Sequence, residues 1–326
     1  MIGNGLGSRF SSIADTKART PMTAKMPTSP SASMLENVLV IFKKSLYQIY
    51  FQEKRLPANH HNQFSAGDLA RFKAAHDTHQ GTLETICATL TAEGITYRTV
   101  YRARQVDYSS YTMVISVGGD GTFIEASRCI TDQPILGVNS DPNRSVGNFC
   151  STNSATFQTC LRNIANGKAS IQKFNRLDIA INGEAYPYRA LNEILLAHQS
   201  PAAMSRYRLT IGEQSEVQRS SGIWVSTAAG STGAIRSAGG RIMKPGSNRL
   251  QYRPRELFSS PKDGHYDLRG SILSANQSIV LESMMREGMV YIDGPHLRIA
   301  LPFGNTMALS RSSQPLRVIH DAPADR

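Results

Sequence analysis

The chain has 326 residues, of which 40% are hydrophobic, and its formal net charge is +11 at pH 7. This length exceeds the usual size of one domain, so we expect two domains that share an interface. The positive charge suits anionic ligands such as nucleotide phosphates, but no long basic run or basic-aromatic stripe occurs, so we expect no nucleic acid partner. No apolar segment is long enough to span a bilayer, so we expect a soluble protein without a membrane partner.

Residues 1–33 are rich in serine, threonine, glycine and proline, and Asp15 is their only acidic residue. Such a composition buries too little apolar surface to fold, so we expect a disordered tail. The simplest interpretation is a cytoplasmic protein with a flexible tail, or a chain whose translation starts at Met34. Because organelle targeting peptides are also basic and serine-rich, an organelle is the alternative location.

Residues 34–145 alternate between buried strands and helices, which predicts an α/β domain with a parallel, Rossmann-like sheet. Ser65 and Asp68 form a predicted capping box at the start of a helix that ends near Glu93. The remaining elements of this domain are expected over residues 37–42, 95–100, 113–117 and 134–138 as strands, and over 121–130 as a helix.

Residues 146–326 begin with one amphipathic helix near residues 157–164 and then change to short alternating strands. That pattern predicts a mainly β domain with antiparallel pairing, and it puts the domain boundary near residue 145. The extreme C-terminus is the one segment that we allow to return to the first domain. Strands are expected over residues 176–181, 190–198, 207–211, 222–227, 278–281, 289–292, 297–301 and 316–319.

A glycine-rich turn, Gly118-Gly119-Asp120-Gly121-Thr122, follows the strand predicted over residues 113–117. In open α/β sheets such a position, beyond a strand and at a helix N-terminus, binds phosphate through free main-chain N–H groups. A carboxylate is the wrong group to bind an anion directly, so Asp120 indicates chemistry. It takes a proton from an attacking hydroxyl, or it organises a metal on the phosphate donor. An ordinary Asp-Gly turn is the structural alternative.

Two further stretches carry polar groups that a nucleotide could use. Asn192 and Glu193 have apolar neighbours on a predicted strand, where unpaired polar groups are costly, so a ligand is the favoured partner. The run Gly230-Ser231-Thr232 combines glycine with small hydroxyl side chains, which lets a nucleotide lie against the main chain. A solvated strand edge and a simple turn are the respective alternatives.

Taken together, these stretches resemble the NAD kinase family over roughly residues 36–320. The glycine-rich turn also occurs in phosphofructokinases and in diacylglycerol and sphingosine kinases, so it does not choose among kinase families by itself. The ordered set of runs is far more specific, and it is most similar to the plant NADH kinase subgroup. Members of that subgroup carry runs similar to "GVNSDP" (137–142), "SSGIWVSTAAGST" (220–232), "LQYRPRE" (250–256) and "VYIDG" (290–294).

The resemblance implies a catalytic residue and a donor site. Asp120 would be the catalytic aspartate, acting on the 2′-hydroxyl of the adenosine ribose. Gly118, Gly119, Gly121 and Thr122 would hold ATP by its phosphates. Because the sequence shows no protein ligand set for a metal, we expect magnesium to arrive on the phosphate oxygens of ATP, near Asp120.

The resemblance also implies the dinucleotide site. Asn192 and Glu193 would bind NAD, Thr232 and Ser237 would line its adenine end, and Ser221 would lie near its nicotinamide end. The commoner bacterial pattern has an aspartate at the position of Ser221. Replacing that carboxylate with a hydroxyl lowers the negative charge around the ring, which affects the choice between its cationic oxidised form and its neutral reduced form.

A second departure from the bacterial pattern concerns Ala234, where that pattern has a tyrosine. Apart from these two departures the motifs match, and the resemblance implies a kinase that phosphorylates the adenosine 2′-hydroxyl of NAD or NADH with ATP. A lipid kinase of the diacylglycerol or sphingosine type is the alternative enzyme, and a catalytically silent NAD(H) sensor is the alternative binding protein. The choices between NAD and NADH and between ATP and polyphosphate stay open. The family also implies a homo-oligomer, a dimer or higher, because its members build the dinucleotide site near a subunit contact.

Overall fold

The structure, a computed structural model, describes residues 30–53, 64–258 and 265–321. Most of the tail predicted over residues 1–33 therefore lies outside the described residues. Within the described part, Ala32–Leu35 form a short 3-10 turn that buries the side chains of Met34 and Leu35. Among the described residues, no helix is both long and apolar enough to cross a membrane.

The α-helices and strands are numbered along the chain. The helices are α1 (Ala66–Ala92), α2 (Asp120–Ser127), α3 (Phe157–Ala165) and α4 (Ala234–Ser237). The strands are β1 (Asn37–Phe42), β2 (Thr96–Tyr101), β3 (Met113–Gly118), β4 (Ile135–Asn139), β5 (Thr152–Asn153), β6 (Ser170–Phe174), β7 (Leu177–Ile181), β8 (Glu184–Ala185), β9 (Glu193–His198), β10 (Ser205–Ile211), β11 (Gln214–Ser220), β12 (Ile223–Ser226), β13 (Leu250–Pro254), β14 (Ser271–Leu273), β15 (Ile279–Ser283), β16 (Gly288–Ile292), β17 (Leu297–Ala300), β18 (Thr306–Arg311) and β19 (Leu316–His320).

The first sheet has the strand order β2-β1-β3-β4-β19-β6, and β5 also pairs with β4. Every neighbouring pair is parallel except β19 with β6. The predicted α/β domain with a parallel sheet is confirmed. The sheet contains strands from both sides of the boundary predicted near residue 145, since β5 and β6 join it and β19 lies between β4 and β6.

Helices cover both faces of the first sheet, because alternate side chains of its central strands point to opposite sides. Val38 and Val40 of β1 lie in the core formed with α1 and α3, whereas Leu39 and Ile41 lie in the core formed with α2. Strands that are buried on both faces appear as continuous apolar runs. For that reason β1, β3 and β4 could be recognised in the sequence.

Helix α1 begins with the predicted capping box: Ser65 Oγ accepts the N–H of Asp68 at 3.1 Å, and Asp68 Oδ2 accepts the N–H of Ser65 at 3.2 Å. Helix α2 ends at Ser127 instead of at the predicted Ile130. The fully buried Arg176 donates to the carbonyl oxygens of Ser127 and Ile130 at 3.4 and 2.7 Å. The guanidinium therefore binds main-chain carbonyl groups at and just after the C-terminal end of α2, where a helix leaves such groups unpaired.

The second domain contains two antiparallel sheets, with strand orders β11-β10-β15-β18-β7-β8 and β14-β13-β12-β9-β16-β17. Their side chains share one apolar core that includes Tyr207, Val225 and Leu281. The prediction of a mainly β domain is confirmed. Strand β9 begins at Glu193, later than the predicted residue 190, because the N–H groups that precede it bond to the side chain of Asp293.

Candidate active site

The glycine-rich turn lies at the carboxyl end of β3, where α2 begins. Gly118 is paired with Asn139 of the neighbouring strand β4, and its carbonyl oxygen accepts the N–H of Ser140 at 2.9 Å. Gly119 caps α2 without a side chain, so Asp120 is the first residue of the helix. The turn is therefore at the sheet edge where open α/β proteins bind ligands, with the N-terminal N–H groups of α2 beside it.

Two of the glycines are required by close approach of their neighbours. A Cβ on Gly118 would lie 2.3 Å from Thr122 Oγ1, and a Cβ on Gly119 would lie 2.7 Å from Ser145 Oγ. Thr122 is buried, so its side chain has little room to move away. The turn consequently carries no side chain of its own at Gly118 and Gly119, which allows close approach of a phosphate to its main chain, and the hydroxyl of Ser145 lies beside Gly119.

The carboxylate of Asp120 is held by two donors from one loop. Phe149 donates its N–H to Asp120 Oδ1 at 2.9 Å, and Asn148 Nδ2 donates to Oδ2 at 3.1 Å. Phe149 is itself held, because its ring stacks on that of Phe123 in α2 with centroids 5.1 Å apart and an angle of 5°. These contacts give the carboxylate a defined orientation. Our sequence interpretation missed Asn148 and Phe149, although both follow directly on the stretch that begins with "GVNSDP".

Asn192 and Glu193 lie together just before and at the start of β9. Their N–H groups donate to Asp293 Oδ1 at 2.7 and 3.1 Å, and the N–H of Leu191 donates to Oδ2 at 2.8 Å. One carboxylate thus orders three successive residues. Asn192 Oδ1 and Glu193 Oε2 are buried and have no hydrogen-bond partner among the described residues. Buried polar atoms without partners are costly, so this pair is suited to a polar ligand.

Electrostatics distinguishes the two carboxyl groups of this cluster. Burial, and then the negative charge of Asp293, raises the pKa of Glu193 to about 7. Desolvation also raises the pKa of Asp293, but its three N–H donors and the guanidinium of Arg128 oppose that rise. Glu193 therefore changes its charge close to neutral pH, beside an Asp293 carboxylate that three N–H groups and a guanidinium face.

The run Gly230-Ser231-Thr232 packs directly on this pair. A Cβ on Gly230 would lie 2.3 Å from the carbonyl oxygen of Asn192, and a Cβ on Gly233 would lie 3.0 Å from Glu193 Oε2. Thr232 is exposed beside them, whereas Ser231 is buried and bonds to the main chain of its own turn. Thr232 is thus next to the Asn192–Glu193 pair, as a residue of the same site would be.

The two remaining predicted residues border a separate shallow cavity. Ser237 lines it together with Trp224, Ala234 and Glu256, and its volume is about 370 Å³. Ser221 Oγ donates to the carboxylate of Glu256 and so lies at its margin. Ser221 and Ser237 therefore border the same cavity, and no residue of the glycine-rich turn lines it.

Arg128 links the two halves of the candidate site. It follows α2, the helix that begins with Asp120, and its Nη2 donates to the carbonyl oxygens of Ile292 and Asp293 at 3.1 and 2.7 Å. Asp293 in turn binds the main chain of Glu193. Asp120 and Glu193 are thus connected through one helix, one guanidinium and one carboxylate. In the part of the chain that the structure describes, no group of three or more His, Cys, Asp or Glu side chains could hold a metal.

Comparison with known families assigns this architecture. Residues 28–169 match the profile described as "ATP-NAD kinase N-terminal domain", and residues 191–321 match the "ATP-NAD kinase C-terminal domain". The chain belongs to the NAD kinase family. The resemblance read from the sequence, including that to plant NADH kinases, is confirmed. The two profiles together cover both domains of the fold, including the glycine-rich turn in the first and Glu193 and Asp293 in the second.

Individual relatives within the family support the same assignment. The chain is 38% identical over 229 residues to a "Probable NADH kinase" of Oryza sativa subsp. japonica, covering 64% of this chain and 70% of the relative. It is 35% identical over 229 residues to the "NADH kinase" of Arabidopsis thaliana, covering 63% and 72% of the two chains.

Solved structures of NAD kinase family members share the fold at lower identity. Yeast NADH kinase complexed with NADH matches 91% of this chain and 89% of its own, with a TM-score of 0.66 and 14% identity. An NAD kinase from Archaeoglobus fulgidus in complex with ATP matches 86% of this chain and 92% of its own, with a TM-score of 0.61 and 18% identity.

Proposed function

We infer that this protein is an ATP-dependent kinase that phosphorylates the adenosine 2′-hydroxyl of NAD or NADH to make NADP(H). The observation that carries this function is the Asp120 carboxylate, which two loop donors orient beside a bare glycine turn at the end of β3. A kinase needs such a base next to a phosphate-binding turn. Family membership favours this enzyme over the alternative of a lipid kinase.

The transfer follows from this arrangement. Asp120 accepts the proton of the 2′-hydroxyl while the ribose oxygen forms a bond to the terminal phosphorus of ATP. The bond from that phosphorus to the bridging oxygen breaks, and ADP leaves with the electron pair. The main-chain N–H groups of Gly119 and Gly121 are positioned to bind the phosphate oxygens, whereas the N–H of Thr122 already donates to the carbonyl oxygen of Gly119 at 3.0 Å. The bonds from Asn148 and Phe149 keep the Asp120 carboxylate from rotating away.

We propose that the dinucleotide is bound by the second domain. Asn192 Oδ1 and Glu193 Oε2 are free buried acceptors, and Thr232 adds an exposed hydroxyl beside them. Ser221 and Ser237 border one cavity, which contains Trp224, so we propose that they bind the same part of the dinucleotide instead of its two opposite ends. Ionised Glu193 accepts hydrogen bonds from ribose hydroxyls, whereas its protonated form also donates one.

Magnesium fits this site as a companion of ATP. The Asp120 carboxylate is the acidic group of the glycine-rich turn, and the described residues offer no complete set of protein ligands. Phosphate oxygens would supply most ligands, and Asp120 is the side chain that would reach the ion. When bound, the ion neutralises charge on the transferred phosphate.

We also propose that the protein is a cytoplasmic homo-oligomer. Light scattering after size-exclusion chromatography would test the oligomeric state, and fractionation of cells would test the location.

Steady-state kinetics with ATP and either NAD or NADH tests the function directly. We expect NADP or NADPH as product, and the ratio of the two kcat/KM values reports the preferred substrate. Asp120→Asn should keep the fold, since the new amide oxygen still accepts the Phe149 N–H, and should lower kcat at least about 100-fold. Asp77→Asn removes a carboxylate from an exposed ion pair on α1 and is the matched control. A folded Asp120→Asn protein with full activity would contradict the mechanism, and binding of NAD(H) without any product would identify a sensor.

A further inference from the structure

Two cationic side chains follow the strands next to the glycine-rich turn. Lys43 comes directly after β1, and Arg102 comes directly after β2. Strands β2, β1 and β3 are adjacent and parallel, so their carboxyl ends meet at one edge of the sheet. Lys43 and Arg102 therefore lie at the same edge as Gly118, although the sequence interpretation gave neither of them a role.

Arg102 reaches the turn itself. Its Nη1 atom is 3.9 Å from the point where a Cβ on Gly121 would lie. Its Nε donates to Glu125 Oε2 at 3.1 Å, and Glu125 is on α2, the helix that begins with Asp120. The guanidinium is thus next to the N-terminal turn of α2, and one carboxylate holds it there. A planar guanidinium can still donate from Nη1 and Nη2 to a phosphate while Nε stays paired.

Lys43 is a neighbour of Arg102 and is partly buried. Burial, and then the positive charge of Arg102, lowers the pKa of Lys43, whereas Asp141 raises it. Asp141 is already paired with Arg144 at 2.8 Å, so it is shared between cations. The main chain at Lys43 is fixed, because His79 Nε2 donates to its carbonyl oxygen at 2.7 Å. Two neighbouring cations without a full complement of anions favour the binding of a polyanion.

A cavity next to α2 starts at Arg102. It has a volume of about 860 Å³ and runs along α2 to Arg128, with Arg104, Tyr188 and Arg189 also in its wall. This volume is within the range of sites that bind ligands of nucleotide size. Neither the glycine-rich turn nor any predicted site residue lines this cavity, and Arg102 is the residue that connects it to the turn.

We propose that Lys43 and Arg102 bind the phosphates of the donor nucleotide, and that the rest of this nucleotide occupies the cavity that Arg102 borders. The proposal rests on the proposed kinase function. A triphosphate is a polyanion, yet the residues implied for its site by family resemblance are glycines, a threonine and Asp120, none of which is a cation. Lys43 and Arg102 supply the missing positive charge on the side of the turn next to β1 and β2.

Exchange of Arg102 is the direct test. Arg102→Gln should raise the KM for ATP roughly 10- to 100-fold, as expected for the loss of a hydrogen bond between charged groups. It should leave the KM for NAD(H) within about two-fold, since the dinucleotide is bound elsewhere. Arg102→Lys should restore part of the loss. Arg208→Gln is the matched control. Arg208 is on β10 of the second domain, and its Nε also pairs with a glutamate, Glu282, at 3.1 Å.

A second variant separates the charge of Arg102 from its position. Glu125→Gln removes the carboxylate that holds Arg102 but keeps the cation, so the KM for ATP should rise less than in Arg102→Gln. A purely structural role of the Arg102–Glu125 pair predicts instead that both variants weaken ATP binding alike. Inorganic tripolyphosphate should compete with ATP in the wild type and lose most of its effect in Arg102→Gln, because the subsite binds phosphates and not the base.

The possible results distinguish a failure of the phosphate subsite from a failure of the proposed kinase function. Calorimetric binding of ATP to the full-length protein measures the effect of Arg102→Gln even if the wild type forms no NADP(H). Unchanged ATP binding and unchanged KM for ATP in a folded Arg102→Gln protein overturn the subsite, although the kinase function stands if the wild type turns over. A rise in the KM for NAD(H) instead of ATP would assign these cations to the dinucleotide pyrophosphate and would also overturn it.

Discussion

Asp293 and Glu193 bind each other through both their main chains and one side chain. Asp293 Oδ1 accepts the N–H of Glu193 at 3.1 Å, and the N–H of Asp293 donates to the carbonyl oxygen of Glu193 at 2.9 Å. This double contact fixes the end of β16 against the start of β9 and puts two carboxyl groups near each other. The structure of the Asn192–Glu193 pair therefore depends on a residue about a hundred positions away in the chain.

The charge of Asp293 should control the titration of Glu193. Because that charge contributes to raising the pKa of Glu193 to about 7, Asp293→Asn should lower this pKa. The pH midpoint in the profile of KM for NAD(H) should then move to lower pH. A structural role alone would change the KM without moving the midpoint. Asp178→Asn, which removes a carboxylate paired with Arg189, is the control, and an unmoved or higher midpoint would contradict the coupling.

Glu193 should also make stability depend on pH. Its pKa is about 7 in the folded protein and 4.5 as a model value, so the folded state binds the proton more tightly. This contribution to the free energy of unfolding is fully present below pH 4.5 and is lost as the pH rises through 7. Between pH 5 and pH 8 the wild type should lose up to about 3 kcal/mol relative to Glu193→Gln. Urea unfolding of both proteins at several pH values measures this difference, and parallel curves would refute it.

Gly137 should be needed for the orientation of Asp120. A Cβ on Gly137 would lie 2.3 Å from the carbonyl oxygen of Phe149, the residue whose N–H holds the Asp120 carboxylate. Gly137→Ala must displace this loop, so we expect a loss of kcat of at least about 10-fold. Gly81→Ala on α1 meets no atom within 4 Å and should raise the free energy of unfolding by about 0.5–1 kcal/mol. Normal kcat in Gly137→Ala would show that the loop does not orient the base.

Arg176 should be essential to stability. Its fully buried guanidinium donates to the carbonyl oxygens of Ile130 and Gln314 at 2.7 and 2.9 Å, and Arg176→Met would remove the donor from both, including that of the buried Ile130. We expect the free energy of unfolding to fall by about 2–4 kcal/mol. The exposed Arg298 on β17 offers the control variant Arg298→Met, which should change it by less than about 0.5 kcal/mol. Equal stability of the two variants in urea would disprove the role of Arg176.

Local patterns predicted the fold well, and non-local contacts explain what they missed. Some features depend only on neighbours in sequence and could be recognised from it: the apolar runs of β1, β3 and β4 and the capping box at Ser65. The glycine-rich turn could be recognised for the same reason. Asp293 lies in the run "VYIDG", but its role, like that of Arg102, became visible only when the chain was folded, since an aspartate in a turn or an arginine after a strand is common at any surface. Asn148 and Phe149 needed the loop to return to Asp120.

The position of β19 between β4 and β6 constrains how the protein is made. During synthesis the ribosome releases β1 to β4, and then the whole second domain, before β19 emerges. Until β19 emerges, β4 and β6 lack the strand that lies between them, so the first sheet is incomplete. During this time the edges of β4 and β6 have unpaired main-chain groups, and unpaired strand edges promote aggregation. Folding of the first domain is therefore completed after translation of the second, so the order of the strands along the chain differs from the order in which the first sheet is completed.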